Sequence, residues 1–257
     1  MFFLILFFVG FSCESRIFGQ VWTSTKVVGS FVCWGNFDLN EVESQLAGLG
    51  EVHQQMNEKL KLPPVQEWIE VYIFESDASW RQFLREKHPG VPYRRAMFIK
   101  KKEDRGQIFL CNTTKFACDL RHEGTHALLD AAISGVPEWL HEGLAEYFEV
   151  EPESRLTGAE WFEATQWNAK FGISRKISSL EKIHSGMSMT NKDYRDAWGW
   201  VNFLLNGPPE GREILTEMLA DYASGKPSLS AEKRMKTKFK NPDSALREFY
   251  RGLKKTE

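Results

Sequence analysis

The sequence predicts an α+β protein: an N-terminal mixed sheet with helices, then a mainly helical half, with a metal site in the cleft between them. Strand-like apolar runs are confined to residues 20–118, an HExxH sequence occupies residues 122–126, and helical spacing dominates residues 151–257. The 257 residues are 42% hydrophobic and include nine Trp, enough for a sizeable core. We therefore expect one domain over residues 20–257, with metal-binding helices at residues 119–150.

The charge balance gives no indication of a nucleic-acid partner. The formal net charge is −2, and both signs are mixed along the chain. Residues 232–240 form a locally basic run, which we interpret as a solvated helix face.

The N-terminus resembles a signal segment, which we assign to residues 1–19. Residues 2–11 are apolar but too few to span a bilayer, and no Lys or Arg precedes them. The sequence G-F-S-C at residues 10–13 resembles a lipoprotein cleavage site, so a lipid anchor at Cys13 is an alternative to simple cleavage. We expect an extracytoplasmic protein (secreted, periplasmic or lipid-anchored) without a membrane span.

The sheet-containing part begins with strand, helix and strand patterns. Residues 27–34 predict a strand because they are rich in Val and aromatic residues. Residues 39–62 predict a helix, since apolar side chains recur every three or four positions before a Pro-Pro pair. Residues 68–74 predict a second strand, and Ser76 begins a short helix.

Two further strands are predicted at residues 96–99 and 107–110, paired across a charged turn. Near them, Cys111 and Cys118 flank a short segment and could form a disulfide; the alternative is that they are buried free thiols. No cysteine pair has C-x-x-C spacing, so we do not interpret the cysteines as metal ligands.

Two consecutive helices are predicted around the HExxH sequence. The first begins after Asp119, a plausible N-cap, and is stopped by Gly135 and Pro137. In the second, apolar residues recur every four positions on one face, while Glu142 and Glu146 share another face. A short connection lets such helices pack antiparallel, which brings Glu142 towards the first helix.

His122, His126 and Glu142 have the residue types of a catalytic zinc site. Positions i and i+4 of a helix lie on one face, so both imidazoles can bind one ion. Two His and one carboxylate leave a coordination position of Zn²⁺ open for water. Glu123 is adjacent in sequence and could take a proton from that water. We therefore expect one Zn²⁺ ion as the cofactor.

The two segments that carry this pattern resemble the gluzincin metallopeptidases. H-E-G-T-H is followed by W-L-H-E-G-L-A-E-Y-F at residues 139–148. The second segment resembles the N-E-G-F-A-x-Y-F stretch of aminopeptidase-N-like enzymes, the N-E-A-x-S-D stretch of thermolysin-like enzymes and, more nearly, the P-x-W-L-x-E-G-L-A-E-Y signature of poorly characterised bacterial peptidase-MA-like proteins. This resemblance is strong only over residues 119–150.

The resemblance implies roles for individual residues. It implies that Glu142 is the third metal ligand, and that Glu146 is hydrogen-bonded to a metal-binding His. It also implies that the strand at residues 107–110 lies along the cleft edge and holds an extended peptide; the alternative is that this strand is paired on both sides. His141 departs from the relatives, which usually have a small polar residue there. It could be an added ligand or a pH-sensitive neighbour, but we favour a partly exposed His without a catalytic role.

The expected activity is zinc-dependent hydrolysis of a peptide bond in a peptide or protein substrate, with Glu123 as the general base. Related enzymes place a Tyr or His in the helical half to stabilise the oxyanion. Here Tyr194 and His184 are the candidates; Tyr194 is preferred because it begins an amphipathic helix. The alternative function is a zinc-binding extracytoplasmic protein that binds a peptide or envelope component without cleaving it. Nothing in the sequence favours exopeptidase over endopeptidase activity.

Overall fold

The computed structural model describes residues 15–17, 19–100, 105–185, 188–225 and 229–254. Within them the protein is α+β, as predicted, with the sheet formed before residue 112 and helices predominating afterwards. Of the predicted signal segment, only residues 15–17 and 19 are described; the other residues of the segment, including Cys13, lie outside the described residues. None of the helices in the described ranges is long and apolar enough to span a membrane.

Seven strands occur among the described residues. In chain order they are β1 (Ser15–Ile17), β2 (Gln20–Trp22), β3 (Ser24–Val28), β4 (Phe31–Gly35), β5 (Ile69–Phe74), β6 (Ala96–Ile99) and β7 (Gln107–Cys111). Strands β1 and β2 pair with each other, and the other five form a mixed sheet in the order β3-β4-β5-β7-β6. The pairs β4–β5 and β5–β7 are parallel, whereas the two outer pairs are antiparallel.

Two strand predictions need correction. The single strand predicted at residues 27–34 is instead a hairpin of β3 and β4, in which Val28 pairs with Phe31. Gly29 has a φ of +57°, a conformation that glycine adopts readily, and this permits a tight turn inside an apolar run. The strand β7 lies between β5 and β6, so the expectation that it forms the cleft edge was wrong. Within the described chain, β6 is the edge strand on that side.

Ten α-helices occur in the described residues, and those that the sequence predicted individually agree with their segments to within a few residues. In chain order they are α1 (Glu43–Leu60, after a 3₁₀ turn at Leu39–Val42), α2 (Asp77–Lys87), α3 (Phe116–Ala132), α4 (Glu138–Phe148), α5 (Phe162–Phe171), α6 (Ile177–Leu180), α7 (Asn191–Asn206), α8 (Pro209–Ala223), α9 (Ala231–Lys238) and α10 (Pro242–Gly252). One cap was mispredicted: α3 begins three residues before Asp119, which lies in its first turn and bonds to Arg95.

The sheet separates two apolar clusters. One cluster joins one face of the sheet to α1, α3 and α4 and continues through the C-terminal helices to Tyr250. The other covers the opposite face, where Trp80 and Phe83 of α2 pack on Phe109 and Trp22 lies nearby. The strand β5 is almost wholly buried because both of its faces are covered, which explains its continuous apolar sequence.

Candidate metal centre

The helix α3 places His122 and His126 one turn apart, as their spacing predicts. Their Nε2 atoms are 3.2 Å apart. His126 is buried and His122 is partly buried, and both line a cavity of about 400 Å³. The first helix therefore supplies two imidazole nitrogens at one wall of this cavity.

The helix α4 brings the third donor to the same point. The Glu142 Oε2 atom is 3.4 Å from His126 Nε2 and 3.7 Å from His122 Nε2. This position depends on close packing of α4 against α7: a Cβ atom on Gly143 would lie 2.7 Å from the carbonyl oxygen of Ala197. Glycine at position 143 thus permits the helix approach that sets the position of Glu142.

These three atoms fit a single Zn²⁺ ion. With bonds of about 2.1 Å at tetrahedral angles, neighbouring ligand atoms are about 3.4 Å apart, and the separations here are 3.2, 3.4 and 3.7 Å. Burial alone would raise the pKa of Glu142, but hydrogen bonding to His122 and His126 outweighs burial and lowers it. The carboxylate is therefore held in the ionised form that a metal ligand requires.

A carboxylate that the sequence did not reveal supports His122. Glu149 Oε2 lies 2.7 Å from His122 Nδ1, where a protonated Nδ1 donates to it and Nε2 stays available to a metal. Sequence reasoning assigned this role to Glu146. The signal that could have identified Glu149 is its spacing of seven from Glu142, two helical turns along the same face.

Glu146 instead accepts a hydrogen bond of 2.6 Å from the indole Nε1 of Trp161. Glu146 nevertheless lies close to His122. One potential ligand atom from each of His122, Glu146 and Glu149 lies within 4.8 Å of the other two. Burial and the neighbouring charge of Glu149 raise the pKa of Glu146 to about 7.

His141 supports the second imidazole. Its Nδ1 is 2.6 Å from Nδ1 of His126, with 4.7 Å between ring centres and 10° between ring planes. Rings stacked face to face at that separation could not bring two nitrogens so close, so the rings lie edge to edge with an N–H···N hydrogen bond between them. Burial and the adjacent His126 lower the pKa of His141 to about 3, which keeps its imidazole neutral.

The cavity also contains the predicted base and one of the two predicted oxyanion donors. Glu123 and Tyr194 both line it, together with His122, His126 and Glu142. Burial raises the pKa of Tyr194, and the nearby charge of Glu142 adds to this effect, so the phenol remains protonated. His184 is exposed and does not line this cavity. Of the two candidates, the structure brings only Tyr194 to the site.

Two other predicted features lie away from the site. Cys111 and Cys118 are free thiols, so the alternative to a disulfide is confirmed; burial raises their pKa values to about 11 and 12. In the basic run, Arg234 and Lys238 form ion pairs with acidic side chains of α8, which favours the interpretation as a solvated face.

Comparison with known proteins gives no match: no protein-family model matches this chain, and neither does any curated protein sequence. The assignment of the site therefore depends on its residues and their geometry.

Proposed function

We propose that this protein is a zinc-dependent peptidase of the gluzincin type. The observation that carries the proposal is the convergence of His122, His126 and Glu142, whose donor atoms lie 3.2–3.7 Å apart at the wall of a solvent-accessible cavity. Glu123 lines the same cavity. A purely structural metal site would not need a further carboxylate beside its ligands.

Each side chain has a role in this proposal. Bound Zn²⁺ would supply Lewis acidity and favour ionisation of a water molecule near neutral pH. Glu123 accepts the proton of the attacking water and later donates it to the leaving amine. Tyr194 donates a hydrogen bond to the oxygen that gains charge in the transition state. Glu149 and His141 hold the two imidazoles in the tautomer that keeps Nε2 unprotonated.

The edge strand β6 is the candidate surface for an extended substrate. Met97 and Phe98 of this strand line the cavity, and within the described residues only one side of β6 is paired. A peptide laid along such an edge gains backbone hydrogen bonds without depending on its sequence. This role was predicted for β7, which the sheet order excludes.

The deciding experiment compares Glu123→Gln with the parent protein. Metal content is measured first, and cleavage of a peptide library is then followed with and without chelator. The parent should bind one zinc and cleave, whereas Glu123→Gln should bind zinc and lose more than about 99% of the rate, since general-base catalysis contributes 10²–10⁴-fold. Glu210→Gln, an exposed change of equal charge, is the control.

The outcomes separate the two candidate functions. If the parent protein binds zinc but cleaves no peptide, the alternative function, a zinc-binding protein without catalysis, is favoured over the peptidase. Cleavage by Glu123→Gln at the parental rate would show that Glu123 is not the base.

Tyr194→Phe should lower kcat about 10²-fold with little change in KM, because one oxyanion donor contributes roughly 10²–10³-fold. An unchanged kcat would show that Tyr194 is not the oxyanion donor.

A further inference from the structure

Arg94 is the one Lys or Arg side chain among the described residues that line the cavity. It lies two residues before β6, and its carbonyl oxygen accepts a 2.7 Å hydrogen bond from the indole Nε1 of the buried Trp80. The backbone at this point is thereby fixed to the core. The Arg94 side chain itself is exposed.

Arg94 and its neighbour Arg95 differ in whether an acidic side chain forms an ion pair with them. Arg95 forms an ion pair of 2.7 Å with Asp119. No acidic side chain in the described part of the chain forms an ion pair with Arg94. Arg94 and Tyr194 both line the cavity.

At the opposite end of β6 the cation is paired. There Lys100 is neutralised by Glu67 and Asp130, at 2.8 and 3.1 Å. Asp130 and Glu138 line the cavity. Among the described residues that line the cavity, Arg94 is the permanent positive charge beside four carboxylates, those of Glu123, Asp130, Glu138 and Glu142.

We propose that Arg94 binds a carboxylate of the substrate, so that the cleft selects peptides with an acidic group at one position. The inference rests on the proposed function for the identity of the substrate as a peptide. A guanidinium can bind a carboxylate through two parallel hydrogen bonds, which gives orientation as well as affinity. The carboxylate is either an Asp or Glu side chain or the C-terminus of the peptide.

Binding to the zinc-loaded Glu123→Gln protein tests the inference without turnover. The probes are a peptide series in which one Gln is replaced by Glu at successive positions, with each peptide made as the C-terminal acid and as the amide. Fluorescence anisotropy gives Kd at low and at moderate salt. We expect a preference of about five- to twentyfold for one acidic position, weakened by salt because the pair is partly exposed.

The variants Arg94→Gln and Arg85→Gln, each made in the Glu123→Gln background, identify the cation. Arg94→Gln should abolish the preference and leave Kd for the neutral peptides within about twofold. Arg85 is exposed on α2 and does not line the cavity, so Arg85→Gln changes net charge equally and should retain the preference. Preference for a Glu position identifies a side-chain carboxylate, whereas preference for the acid over the amide identifies the C-terminus.

The outcomes distinguish this inference from the proposed function. Equal Kd for acidic and neutral peptides, or a preference that survives in Arg94→Gln, would overturn the inference even if the parent cleaves peptides. Conversely, the parent protein could hydrolyse no peptide while the preference for acidic peptides still depends on Arg94. That result would support carboxylate binding by Arg94 and refute the peptidase.

Discussion

Two groups of potential metal ligands share His122, and they differ in the hydrogen bonds that their polar atoms form. The first is His122, His126 and Glu142; the second is His122, Glu146 and Glu149. In each group one donor atom per residue lies within 4.8 Å of the others. Proximity alone therefore does not distinguish them.

The hydrogen bonds do distinguish them. In the second group, Glu149 lies 2.7 Å from His122 Nδ1, and Glu146 accepts a hydrogen bond from Trp161. A separation of 2.7 Å is a hydrogen bond and is shorter than the roughly 3.4 Å between two ligands of one tetrahedral zinc. In the first group the separations are close to that value. The His122 imidazole thus has Nε2 towards His126 and Glu142 and uses Nδ1 for the hydrogen bond with Glu149.

The largest expected effect comes from removing the carboxylate of the first group. Glu142→Ala should weaken zinc binding by more than about 100-fold, since a direct ligand contributes more than a supporting residue. Competition with a chromophoric chelator measures the affinity. Glu138→Ala, which removes another carboxylate that lines the cavity, should leave zinc affinity within about threefold. A zinc affinity of Glu142→Ala within about threefold of the parental affinity would show that Glu142 is not a ligand.

The second prediction compares the two supporting carboxylates. Glu149→Ala should weaken zinc binding about 10–100-fold because the Nδ1 proton of His122 loses its acceptor. Glu146→Ala should change zinc affinity less than about threefold, although it leaves the Trp161 indole without its acceptor and lowers the free energy of unfolding. If Glu146→Ala had the larger effect on zinc affinity, the supporting role would belong to Glu146, as the family resemblance implies, and not to Glu149.

A smaller effect is expected at His141, where the supporting group is neutral. His141→Phe should weaken zinc binding about tenfold, since it removes the acceptor for Nδ1 of His126. His141→Asn should recover most of that loss, because an amide oxygen can accept the same hydrogen bond. Equal affinities of the Phe and Asn variants would show that packing, not hydrogen bonding, is the role of His141.

The smallest effect concerns the pH dependence of stability in the metal-free protein. The pKa of Glu146 is raised from 4.5 to about 7, so between these values the folded state retains a proton that the unfolded state releases. Its contribution to the free energy of unfolding therefore falls as pH rises through this window. Glu146→Gln keeps an acceptor for Trp161 but cannot ionise. The free energy of unfolding, measured in urea, should decrease less between pH 5 and pH 8 for this variant than for the parent protein. Equal decreases would contradict a pKa of about 7 for Glu146.

Much of the fold and of the candidate site could be predicted from local pattern. The helices α1, α3, α4 and α7 follow their apolar periodicity, and β5 follows its continuous apolar run. The hairpin turn at Gly29 was missed because apolar residues flank it on both sides. The identity of the edge strand was missed because strand order depends on which elements pack together, which no local pattern specifies.

The sequence by itself determined that His122 and His126 share a helix face, because that relation depends only on the helical repeat. It also determined that a carboxylate-bearing helix follows within a short connection. Only the tertiary structure decided that Glu149 supports His122, that Tyr194 and not His184 lies at the cavity, and that Arg94 reaches the same space. Those relations join distant segments, and their distances are set by close packing such as that of Gly143 on α7.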